Sequence, residues 1–149
     1  MRRARTAALL IGAMAPAATA APNADQAPAL DCSRGFDGLK AQAQSFPGAK
    51  TGRWREFDVV GVSSVEPDTW RVEFAFTAPG HAAHPAVLLR TLRKQVTGVW
   101  TAQSMGCGYG NRSAFSALMA DMKAGDTELT NESRDKVERE KQNQSPLAP

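Results

Sequence analysis

Residues 69–77 read T-W-R-V-E-F-A-F-T, and their reading decides the fold. Trp70, Val72, Phe74 and Phe76 alternate with Arg71, Glu73, Ala75 and Thr77, the period-two pattern of a strand with one face in a core and the other nearer water. A slip of one residue would carry all four large apolar side chains into solvent, so the pattern also fixes register. The remaining chain has to supply strands that pair with this one and helices that cover its apolar face.

Toward the N-terminus, residues 53–65 form the next strand candidate, with Trp54, Phe57, Val59, Val60 and Val62 as its apolar content. Alternation breaks at Val59-Val60, which marks either a bulge or a strand buried on both faces. Glu66-Pro67-Asp68 supplies turn chemistry between the two strands, so together they make a hairpin. Toward the C-terminus, residues 78–85, A-P-G-H-A-A-H-P, are a loop by composition. Residues 86–96 admit two readings. Val87, Leu88, Leu92 and Val96 fit a helix opened by Pro85, or a strand that turns near Gly98 into the β-rich Val99-Trp100-Thr101 run. The turn-then-strand pattern favours a second hairpin.

Helices flank the hairpins. After Cys32 and Ser33, a plausible N-cap, Phe36, Leu39, Ala43 and Phe46 recur at helical spacing until Pro47-Gly48. Gly106-Cys107-Gly108-Tyr109-Gly110 breaks the strand pattern. Asn111 then caps a helix with Phe115, Leu118, Met119 and Met122 on one face and a stop at Gly125. Residues 126–149 are almost wholly polar, and a partly helical tail passing into disorder is expected there.

The order α-β-β-β-β-α predicts one α+β domain over residues 32–125: an antiparallel four-stranded sheet with the N-terminal and C-terminal helices on one face. This layout resembles cystatin-like and NTF2-like small domains, a likeness of architecture alone.

Residues 1–20 stand apart. Arg2, Arg3 and Arg5 precede a short apolar run with Leu9, Leu10, Ile11 and Met14, and Ala18-Thr19-Ala20 fits a cleavage site before Ala21. This is the layout of a secretory signal peptide, with an apolar run too short for a resident membrane helix. Residues 21–31, rich in Ala and Pro, read as a flexible lead. Three of the 18 Lys and Arg residues lie in the leader and none of the 15 acidic residues does, so the remainder is formally neutral. That balance gives no support to a nucleic-acid partner or an anionic membrane footprint.

Few residues are candidates for chemistry. Cys32 and Cys107 are the two cysteines, and a pair in an exported chain points to a disulfide. Asp31-Cys32-Ser33 resembles the D-C-S that carries the nucleophile in certain cell-wall cysteine peptidases. The resemblance implies Cys32 as nucleophile with His81 or His84 as base, although Arg34 stands where that motif has glycine. His81 and His84, three apart, are the only histidines and the only metal candidates; without a third ligand, two solvent-facing loop histidines is the simpler reading. Gly106, Gly108 and Gly110 match neither nucleotide-loop spacing, and room for close packing beside the disulfide explains them better. An NTF2-like enzyme would use Tyr109 with a histidine or Asp58, and an NTF2-like carrier would line a pocket with Trp54, Trp70 or Trp100. The reading that best fits this set is an exported, non-enzymatic binding or accessory protein of the cell envelope. It takes no cofactor, has an envelope or secreted protein as partner, and carries a binding rim at His81, His84 and Tyr109.

Overall fold

The computed structural model describes residues 26–65 and 67–144, so the expected signal peptide and residues 21–25 of the lead lie outside the described residues. A 3-10 turn at Cys32–Arg34 runs into helix α1 (Gly35–Ser45), followed by β1 (Lys50–Trp54), β2 (Phe57–Ser63), β3 (Trp70–Thr77), β4 (Ala86–Lys94), β5 (Trp100–Gly108) and helix α2 (Arg112–Gln144). The strands form one antiparallel sheet in sequence order, β1-β2-β3-β4-β5. Each strand pairs with its neighbours in sequence, so every pairing is local.

β3 is the middle strand. Val72, Phe74 and Phe76 lie opposite Val62, Val60 and Asp58 of β2 and opposite Thr91, Leu89 and Val87 of β4. Its four alternating large residues are all buried, with Phe76 fully so. Leu39 and Ala43 of α1 pack onto them, and Phe36 meets Phe76 edge to face with ring centroids 5.8 Å apart. Burying side chains of this size stabilises by about 1.5–3 kcal/mol each. Phe46 stacks on Phe74 at 6.1 Å where α1 ends. Val60 and Val62 join this core, while Phe57 and Val59 belong to the opposite one. β2 is thus a regular strand used on both faces, without a bulge.

The helices do not share a face. Phe115, Leu118, Met119 and Met122 of α2 pack with Leu88, Ala75 and Phe57, on the side opposite α1. The physical reason lies in β3 and β4. Ala75 and Leu88 alternate with Phe74, Phe76, Val87 and Leu89 and are buried as well, so the middle of the sheet needs cover on both sides.

Nor are there four strands. Residues 50–63 hold two, split by a two-residue turn at Arg55-Glu56, with Trp54 paired to Phe57. Arg55 has φ 52°, the region that hairpin turns normally assign to glycine or asparagine, so the turn carries no sequence mark. Residues 86–108 form the second hairpin, and β5 runs on through Gly106 to Gly108. A Cβ on Gly106 would come within 2.6 Å of the Met119 sulfur, and one on Gly108 within 2.6 Å of the Phe115 ring. These glycines let α2 lie against the strand.

α2 does not stop at Gly125. Asn111 caps its start, its side-chain oxygen accepting the Ala114 N–H at 2.9 Å, and the helix then continues to Gln144. The helical part of the expected tail thus takes in residues 126–144 as a continuation of α2, and residues 145–149 lie outside the described residues. Gly125 sits where an added Cβ would be 3.2 Å from the Arg90 guanidinium. Of the lead, residues 26–31 are described, and Ala27 and Leu30 pack against the α1-side core.

Candidate functional site

The β1–β2 turn, the 78–85 loop and the end of β5 meet at one end of the sheet. Phe57 pairs with Thr77, and the Ala78 N–H donates to the Glu56 carbonyl at 2.8 Å. At the other side of that end the Tyr109 N–H donates to the Pro85 carbonyl at 2.9 Å. The His84-Pro85 peptide is cis.

His81 and His84 diverge from this loop. The His81 ring lies 5.1 Å from Phe57, on the α2 side, and its Nδ1 accepts the Ala83 N–H at 3.1 Å. The His84 ring lies 5.3 Å from Phe36, on the α1 side, and its Nδ1 is 2.8 Å from the Thr77 carbonyl, which requires that nitrogen to carry the proton. Each imidazole is thus tied to its own loop or strand, and the two do not face each other. Among the described residues no three His, Cys, Asp or Glu side chains gather as a metal site.

Cys32 and Cys107 are joined in a disulfide, their Cα atoms 5.5 Å apart and 75 residues apart in sequence. It ties the 3-10 turn before α1 to β5, and its sulfurs are not thiolates available to a substrate. Asp31 serves the turn instead: its carboxylate accepts the Ser33 N–H at 3.1 Å and the Ser33 hydroxyl at 2.6 Å. Those two hydrogen bonds hold Asp31 below the usual carboxylate range. Tyr109 closes the same corner, its hydroxyl donating to the Cys32 carbonyl at 2.8 Å. Partial burial, with the Asp31 charge nearby, pushes its phenol above the ordinary tyrosine value.

Asp58 is not near Tyr109's hydroxyl partner. It faces α1, where the Lys40 ammonium bonds it at 2.7 Å and lowers its pKa. The three tryptophans are also apart. Trp70 is in the α1-side core. Trp54 is 56% exposed at the β1–β2 turn. Trp100, at the far end of β5, lies under the Arg71 guanidinium at 4.5 Å.

What gathers is an aromatic row that sequence reasoning did not single out. Arg55 lies over the Trp54 ring at 4.8 Å, Trp54 stacks on Phe57 at 6.0 Å, and His81 follows. The row runs along the end of the sheet on the α2 side. α2 itself lies along β5, so Trp54 and Glu73 stay exposed on that face. A two-residue turn at Arg55-Glu56 would have revealed the row, because only that turn stacks Trp54 on Phe57. Searches against family models, curated proteins and solved structures give no match for this chain.

Proposed function

We propose that this chain is an exported, non-enzymatic binding protein of the cell envelope. The observation that carries the reading is the aromatic row Trp54–Phe57–His81, in which Trp54 and the flanking Arg55 are exposed on the α2 side, His81 is half-buried and Phe57 is the buried base on which they rest. Exposed aromatic and arginine side chains are the types on which binding energy concentrates at interfaces. The disulfide is compatible with an oxidising compartment, and among the described residues no helix is long and apolar enough to cross a membrane.

Of the rim residues expected from sequence, His81 belongs to the row, whereas His84 and Tyr109 hold the loop and the Cys32 turn in place. The experiment is capture of a partner from an envelope extract by the immobilised protein. Replacing Trp54 and His81 together by alanine is expected to reduce recovery of that partner about tenfold with the fold retained. Equal recovery would contradict the reading.

A further inference from the structure

The two edges of the sheet are finished differently. Along β5 the outward N–H groups of Trp100 and Ala102 are taken by the Ser133 and Thr130 hydroxyls of α2, at 2.8 and 3.0 Å. Along β1 nothing comparable is present among the described residues, and all five of its residues are exposed. In a hairpin closed by a two-residue turn the flanking pair, here Trp54 and Phe57, exchanges its hydrogen bonds. Thr51 and Arg53 therefore turn their N–H and C=O groups outward. The Glu56 carbonyl bonding across to β3 fits the same alternation.

This open edge is basic. Lys50, Arg53 and Arg55 lie within six residues, and no ion pair engages them among the described residues. An antiparallel pairing of β1 with the β1 of a second copy would set these cations against themselves, which disfavours self-association along this edge. An acidic strand meets no such penalty.

The two faces beside the edge differ as well. On the α1 side a hollow of about 340 Å³ is lined by Lys40, Gln44, Thr51 and Asp58, with the Arg53 side chain on the same face. On the α2 side a hollow of about 350 Å³ is lined by Gly52, Arg53, Trp54, Val59 and Glu73. A strand laid along β1 would point alternate side chains to each. The first is polar, and its one carboxylate, Asp58, is already paired with Lys40 and lies in the field of Arg53. The second offers an indole and a valine beside a carboxylate that repels acids.

We infer that the free edge of β1 is a docking strand for an extended peptide whose acidic residues alternate with apolar ones, the acidic side chains toward Arg53 and the apolar ones toward Trp54. This rests on the reading of the chain as a binding protein and names the surface and the chemistry of the partner. It shares Trp54 with the aromatic row and does not involve His81.

The test uses the oxidised full chain and capped peptides of about eight residues, long enough to cover β1. An alternating Val/Glu peptide is expected to bind, to weaken with added salt, and to bind at least about tenfold tighter than its Val/Lys counterpart. A central proline in the peptide removes its ladder donor and is expected to abolish binding. Thr51→Pro in the protein does the same from the other side. Proline is tolerated at an outward N–H of an edge strand, so the fold is retained, as melting checks. Triple replacement of Lys50, Arg53 and Arg55 by glutamate is expected to reverse the peptide preference. Equal binding of the Val/Glu and Val/Lys peptides, indifference to proline, binding only to anionic vesicles, or dimerisation of the protein through β1 would each overturn the inference. Loss of peptide binding with Trp54- and His81-dependent capture intact overturns this inference alone.

Discussion

The hydroxyl oxygen of Thr130 accepts the backbone N–H of Ala102 at 3.0 Å, one turn of helix before Ser133 does the same for Trp100 at 2.8 Å. The polar half of α2 is therefore bound to the sheet by its hydroxyls, in place of the apolar stripe that usually anchors a helix. It blocks an edge that would otherwise offer open donors to another strand.

Replacing Thr130 by valine keeps the shape and removes the acceptor, leaving the Ala102 N–H unpaired. With Ser133→Ala added, the second half of α2 is expected to loosen at a cost of about 1–3 kcal/mol. Hydrogen exchange checks this residue by residue. Protection at the Trp100 and Ala102 amides should fall while that of β3 is unchanged.

Arg90 and Asp126 hold the centre of the same contact. The guanidinium meets the carboxylate at 2.8 Å, the Ser104 hydroxyl donates to the same oxygen at 2.8 Å, and both charged side chains are largely buried. Asp126→Ala leaves a cation without its partner and is expected to destabilise by about 3–5 kcal/mol. The double change Arg90→Met with Asp126→Leu should recover most of that loss. Urea unfolding of the three proteins decides it.

How much of this was legible follows residue by residue. Trp70, Val72, Phe74 and Phe76 announced the central strand because large apolar residues at period two have no other stable arrangement. Phe115, Leu118, Met119 and Met122 announced a helix for the matching reason at period 3.6. β1 was illegible because Arg55 turns the chain at positive φ with none of the usual turn residues. The extent of α2 was illegible because Asp126, Thr130 and Ser133 look solvent-facing until β5 is placed beside them. Hydroxyl-to-backbone bonds leave no periodic trace. The pairing of Cys32 with Cys107 was legible from their number alone, whereas the aromatic row depended on the turn that was missed.

Gly106→Ala and Gly108→Ala test the close approach of α2 to β5. Each added methyl meets Met119 or Phe115, and overpacking of this kind costs about 1–3 kcal/mol. Gly61→Ala, whose Cβ would have open space but for the Lys50 carbonyl at 4.0 Å, is the control and should change stability far less. Thermal melting of the three variants checks the order.

The pH dependence of stability has two limbs. Asp58, held low by its hydrogen bond from Lys40, stabilises above the unfolded carboxylate value of about 4. That contribution is lost as pH falls through its lower folded value. Tyr109 is raised by burial, so its contribution is present below the unfolded value of about 10 and is lost as pH rises through the higher folded one. Asp58→Asn should flatten the acid limb and Tyr109→Phe the alkaline limb in melts across pH. Both groups are partly exposed, so the effects are small and shrink with salt.

The account depends on Cys32 being a structural cysteine of an exported binding domain. The most direct measurement is the intact mass of the protein recovered from its producing cells, alkylated with and without reductant. The predicted result is a monomer that begins at Ala21, takes no label until reduced, and then takes two. Reduction should also cost about 4–5 kcal/mol of stability, the loop-entropy value for a closure of 75 residues. A protein that keeps its leader, or a Cys32 that is labelled rapidly at neutral pH without reductant, would contradict the account.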